Sequence, residues 1–188
     1  MRNLTKGIVF SAIASFGSLA YAADYSIDAG HSTVQFVIGH LGVSQTIGRF
    51  NTFSGDFSFD NDNPSAASVT LMVDTASIDT NHEKRDEHLA SPDFLDVKQF
   101  PEMTFKSTAY EGTAEAGKLT GELTLHGVTK SVTFDVQKIG EGNDPWGGYR
   151  AGFNAQTTLN RSEFGITNFI PGVSDETQVN IFIEGIRK

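Results

Sequence analysis

Hydrophobic and polar residues alternate with a period of two along most of the chain. Val34, Phe36 and Ile38 alternate with Thr33, Gln35 and Val37, and Phe53, Phe57 and Phe59 share a phase with Gly55. Val69, Leu71 and Val73 alternate with Ser68, Thr70 and Asp74, and Met103 and Phe105 with Thr104 and Lys106. The same rhythm runs through Leu119, Leu123 and Leu125, through Val132, Phe134 and Val136, through Tyr149, Ala151 and Phe153, and through Val179, Ile181 and Ile183. Successive strand side chains point to opposite faces, so the pattern predicts about eight half-buried antiparallel strands. Phe50 is out of phase with Phe53, which predicts a bulge near Asn51-Thr52.

The intervening residues fit turns. His126-Gly127 reads as a two-residue hairpin loop, and Asn61-Asp62-Asn63-Pro64 and the stretch 140–148 as turn clusters. About eight twisted strands with one apolar face must close into a barrel or pack on a second layer. One segment breaks the period. Thr80-Asn81-His82-Glu83 has the form of a capping box, with Thr80 as N-cap and Glu83 at the third helical position. It predicts a short helix over 81–90, ended by Pro92 and placed at one end of the barrel.

The N-terminus changes the picture of where this fold works. Arg2 and Lys6 precede an apolar stretch over 7–19, and Ala20-Tyr21-Ala22 is a small-x-small cleavage site. This is the pattern of a secretory signal peptide over 1–22, leaving one domain over 23–188. The apolar run is shorter than the ~20 residues of a bilayer span, and no second such run follows, so no integral membrane segment is expected after processing. No cysteine is present, which removes lipoprotein anchoring, disulfides and thiol chemistry. Losing Arg2 and Lys6 takes the formal charge from −9 to −11. Such an acidic surface repels phosphate polymers, so nucleic acid is not an expected partner.

Candidate chemistry is sparse. There is no Gly-x-Ser-x-Gly elbow in the processed chain, and the neighbours His31 and Ser32 would point to opposite strand faces. His82 and Asp86 stand four apart on the predicted helix with His88 nearby, but the zinc-protease motif His-Glu-x-x-His is absent. No catalytic residue, metal or cofactor is expected. Arg85 and Arg161 have two open readings: each guanidinium closes a polar network with a carboxylate at a barrel end, or one meets a polar ligand head. Whether the apolar interior is filled by side chains or holds a ligand is equally open.

Several blocks of the sequence are recognisable together. Asp28-Ala29-Gly30-His31-Ser32 leads into Val34-x-Phe36 and His40-x-Gly42-Val43, then Gly48-x-Phe50 and Phe53-x-Gly55. Ala76 to Thr80, Arg85-Asp86-x-His88-Leu89 and Asp93-Phe94-x-Asp96 form a second block. Phe100-Pro101-x-Met103-x-Phe105-x-Ser107, Gly121-x-Leu123 through Lys130, and Arg161-Ser162-x-Phe164-Gly165 complete the set. The chain thus resembles the YceI-like family of lipocalin-like periplasmic proteins over nearly all of its processed length. The resemblance implies an extended eight-stranded antiparallel barrel whose lumen takes a polyisoprenoid, an isoprenoid quinone or a fatty-acid derivative. It implies a periplasmic carrier or sequestering protein of a Gram-negative envelope, tied to envelope stress, and it brings no catalytic residues.

The expected partner is therefore a long-chain apolar lipid or isoprenoid, with monomer or homodimer left open. The apolar members of the alternating runs give the expected lining: Phe36, Ile38, Phe57, Phe59, Leu71, Phe105, Leu123, Phe134, Phe153 and Ile181. Cations stand out in an acidic chain, so Arg85, His88 and Arg161, with His40 at the end of an inward-facing run, are the candidates for a polar mouth. The rival readings are a lipid-modifying enzyme with His40 or His88 as base, and a filled barrel serving as an interaction module.

Overall fold

The computed structural model describes residues 22–188. The predicted signal peptide therefore lies outside the described residues, apart from Ala22. Eleven strands form one sheet. They are β1 (Ala23–Ile27), β2 (Thr33–His40), β3 (Ser44–Phe50), β4 (Phe53–Phe59), β5 (Ser68–Asp74), β6 (Ile78–Asp79), β7 (Glu102–Gly112), β8 (Ala116–Leu125), β9 (Val128–Asn143), β10 (Tyr149–Asn160) and β11 (Val173–Arg187).

The ring β1-β4-β5-β7-β8-β9-β10-β11 closes through pairing of β1 with β11, giving an eight-stranded antiparallel barrel. The three extra strands are continuations. Strand β11 pairs with β1 through residues 185–187 and with β2 through residues 173–182, so β1 and β2 together make one interrupted wall. In the same way β3 pairs with β2 while β4 pairs with β1, with the chain bending at residues 51–52 between them. The out-of-phase pair Phe50 and Phe53 thus marks a break between two strands, and both rings are buried. At the break the Asn51 amide donates to the Ser77 carbonyl and the Thr52 amide to Ser77 Oγ.

Two sequence expectations change. The stretch 140–148 is not all turn, because β9 runs on to Asn143 and only residues 144–148 reverse the chain. The helix α1 spans Glu83–Ala90, and its N-cap is His82 rather than Thr80. His82 Nδ1 accepts from the Arg85 amide at 3.2 Å. Asn81 has a φ of 60°, which turns the backbone away from helical geometry at the residue directly after the expected cap. Thr80 is buried instead, its hydroxyl donating to Asp86 and accepting from Arg85 Nε at 2.7 Å. The expected hairpin at His126-Gly127 is present, with Leu125 opposite Val128 and φ values of 52° and 74° at the two loop residues. Those positive angles are what a twist-matched two-residue loop requires.

Helix α1 and the segment after it close one barrel end. Phe94 and Leu95 are buried there with Phe50, Phe53, Ile78 and Ile166, and Leu89 packs on the cluster. The opposite end carries the β7–β8 and β9–β10 turns and the loop from β4 to β5, whose single 3-10 turn, Pro64–Ala66, packs on β7.

Candidate functional site

The barrel encloses an apolar cavity of about 140 Å³. Twenty of its lining residues are apolar, and only Ser58 and Tyr110 bring a hydroxyl. The Tyr110 hydroxyl is already committed, donating to the Thr113 carbonyl at 2.7 Å. Burial pushes the Tyr110 phenol above its ordinary value, with the nearby Glu115 adding to the effect. A space with so few polar partners does not hold water well and favours hydrocarbon.

Strand alternation builds the lining. Phe57, Phe59, Leu71, Phe105, Leu123, Phe134, Phe153 and Ile181 all face the cavity, from β4, β5, β7, β8, β9, β10 and β11. The rings interlock: Phe105 meets Phe134 edge-on at 5.3 Å, and Phe153 meets Phe57 at 5.5 Å and Phe59 at 5.1 Å. Phe36 and Ile38 stand apart from this lining. Phe36 instead fills the helix end. It lies 6.0 Å from Phe50, over Gly48, where a Cβ would stand 2.2 Å from the ring.

The lining extends beyond the expected residues. Val34, Met103, Leu119, Val136, Val179 and Ile183 face it too, and all belong to the alternating runs already recognised. Ala67 and Ser58 also border it, and neither has a signal in the sequence, because a loop residue and an off-phase serine carry no hydrophobic pattern.

None of the four cationic candidates lines the cavity. All belong to the helix end. His40 is exposed at the end of β2. Arg85 donates to Thr80, through Nε to the hydroxyl and through Nη2 to the carbonyl at 2.6 Å. His88 pairs with Asp93 at 2.9 Å and packs edge-on against Phe94 and Phe169. Arg161 is buried and donates to four carbonyls, those of Ile166, Asn168, Val173 and Ser174, all within 2.8–3.0 Å. Its guanidinium also lies 6.0 Å from the Phe94 ring centre, so His88 and Arg161 meet the same aromatic group. The network of Arg161 is thus with backbone rather than with acids. None of the five histidines lines the cavity, so the feature an enzymatic reading would need, an imidazole within the lumen, is missing among the described residues.

A second polar cluster lies where β1 gives way to β2. Arg150 bonds Asp28 at 2.7 Å and Asp144 at 3.0 Å, and also pairs with Glu184. His31 Nδ1 lies 2.8 Å from Asp28. The Arg150 guanidinium, followed by His31, holds the Asp28 carboxyl at a pKa of about 2. Asp28, His31 and Glu184 bring potential metal-ligating atoms within 4.8 Å of one another, but Arg150 already supplies the positive charge there.

The YceI-like domain profile matches residues 25–185. A UPF0312 protein of Pseudomonas paraeruginosa is 48% identical over 171 residues, covering 90% of each chain. Among solved structures, Burkholderia cenocepacia BcnA is similar with a TM-score of 0.77 at 26% identity, covering 84% of this chain and 98% of its own. A polyisoprenoid binding domain from Saccharophagus degradans shares the fold with a TM-score of 0.65 at 17% identity, over 89% of this chain and all of that one. With its closed barrel, its apolar lumen and a profile match over nearly every described residue, the chain belongs to the YceI-like family.

Proposed function

We propose that this protein is exported through its N-terminal signal peptide and carries a long apolar lipid, of polyisoprenoid or similar chemistry, in the periplasm. The observation that carries the reading is a nearly unbroken apolar lining inside a closed barrel. The fold shared with a domain described as polyisoprenoid-binding supports the ligand class. Among the described residues no helix is long and apolar enough to cross a membrane, in keeping with a carrier that moves between surfaces. A role in envelope stress is part of the proposal and predicts higher expression when the envelope is damaged.

The energetics set a condition on the lumen. A buried CH₂ is worth about 0.8 kcal/mol, so one five-carbon isoprene unit gives roughly 4 kcal/mol before ordering costs. Association costs at least about 4 kcal/mol, so one unit is too little and several must be buried together. A cavity of about 140 Å³ is comparable with the roughly 150 Å³ that holds one benzene. A long chain therefore needs more room than this cavity offers, and enters by displacing lining side chains. The cavity-lining phenylalanines are the proposed ligand contacts, and Arg85 and Arg161 are assigned to the architecture of the helix end.

Lipid extraction of protein purified from the periplasm, followed by mass spectrometry, tests the proposal. A stoichiometric prenyl or acyl lipid is the expected result. A preparation that is empty, and stays empty when offered prenyl lipids, overturns it.

A further inference from the structure

The inward row of β9 does not end in hydrocarbon. Val132, Phe134 and Val136 face the interior, and the next residue of the same phase is Lys138. Its side chain is only 13% exposed, and Nζ lies 5.2 Å from the ring centre of Phe59. Phe59 lines the cavity, and so does Phe153, the cross-strand partner of Lys138. The lumen thus leads, through the Phe59–Phe153 pair, to a cation at the end opposite the helix.

Lys138 is paired with Glu141 at 3.1 Å, and the Glu141 side chain is 22% exposed. Burial pulls the Glu141 carboxyl upward, but hydrogen bonds from Asn61, Lys138 and Tyr149 outweigh it and hold it below its ordinary value. Asn61 bridges the pair. Lys138 Nζ donates to its Oδ1 at 2.6 Å, and its Nδ2 donates to Glu141 Oε1 at 2.7 Å. Asn61 is exposed, on the loop between β4 and β5, so it can be displaced without disturbing the core.

We propose that Lys138 and Glu141 are the head-group site of the lumen, with the Asn61 amide in the place of the head. The bridge defines the chemistry: an uncharged group that accepts from a cation and donates to a carboxylate. A lipid alcohol satisfies both partners. A lipid phosphate gains Lys138 but meets Glu141 as a like charge, with Glu115 also near Lys138. This inference rests on the lipid-carrier reading and deepens it.

The test uses the exported protein after delipidation, with geranylgeraniol and geranylgeranyl phosphate titrated at neutral pH. The alcohol should bind at least about tenfold more tightly. Glu141→Gln should narrow that ratio to within about threefold by improving phosphate binding. Asn61→Ala, on an exposed loop, should tighten alcohol binding several-fold by removing the internal competitor, and it decides the matter if Glu141→Gln does not fold. Equal binding of the two compounds, an unchanged ratio in Glu141→Gln, or an unchanged alcohol affinity in Asn61→Ala overturns the head-group site alone. Failure of both compounds to bind overturns the carrier reading with it.

Discussion

Phe134 and Thr133 are neighbours with opposite fates. Phe134 is buried and lines the cavity, whereas Thr133 is exposed and shares a hydrogen bond with Thr120 across β8. Phe134→Asp places an unpaired carboxylate in hydrocarbon and should cost about 3 kcal/mol or more, read by chemical denaturation. Thr133→Asp should stay within about 0.5 kcal/mol of the parent. Arg161 is the other residue on which much depends. Arg161→Met leaves four carbonyls without their donor, at about 1–3 kcal/mol for each that water does not reach. A loss of roughly 3 kcal/mol corresponds to a melting temperature lower by about 6–12 °C. Lipid affinity, measured well below the melting transition, should not change, because Arg161 does not touch the cavity. Much of this scale was legible in the sequence, since strand parity alone puts Phe134 inside and Thr133 outside. The polar end at Lys138 was not, because an inward lysine after Val136 reads as the end of an apolar run.

Among the elements, most strands whose inward rows repeat large apolar residues were legible, even where Gly55 or Ala151 interrupts the row, and the weaker rows were not. Strand β3 points Thr46, Gly48 and Phe50 inward, because Gly48 must leave room for Phe36, and that row carries too little hydrophobic signal. The helix was legible but its start was not. Thr80-x-x-Glu83 fits the capping pattern, yet the Thr80 hydroxyl is engaged by Arg85 and Asp86, and His82 caps in its place. His82→Asp should stabilise the fold by about 0.5–1 kcal/mol, since a carboxylate is a better cap and favours the positive helix end. The break between β1 and β2 is held by the Arg150 cluster, which ties residues 28–31 to β10, β11 and the 144–148 turn. Because the Asp28 pKa is depressed to about 2, protonation opposes folding. Its stabilisation is full above the unfolded value of about 3.9 and is lost as pH falls towards 2. Asp28→Asn should therefore lower stability at neutral pH and flatten the acid limb of the stability profile between those two values.

At the scale of the whole molecule, the alternating runs carry the strand count but leave closure or a second layer equally open, the family resemblance implies closure, and the interrupted walls arise from long-range pairing with β11 that no local pattern records. The closed ring leaves no unpaired edge along the barrel proper and puts the inward rings around one lumen. If the lumen exists to hold a lipid, the protein should leave the cell loaded. Native mass spectrometry of the protein released from the periplasm, without detergent or added ligand, tests it most directly. The expected species is a chain beginning at Ala23 that retains a single prenyl or acyl lipid, and loses that mass when Phe134 is changed to Asp in a form that remains folded. A folded, processed chain with no bound mass, and none acquired on exposure to prenyl lipids, would contradict it.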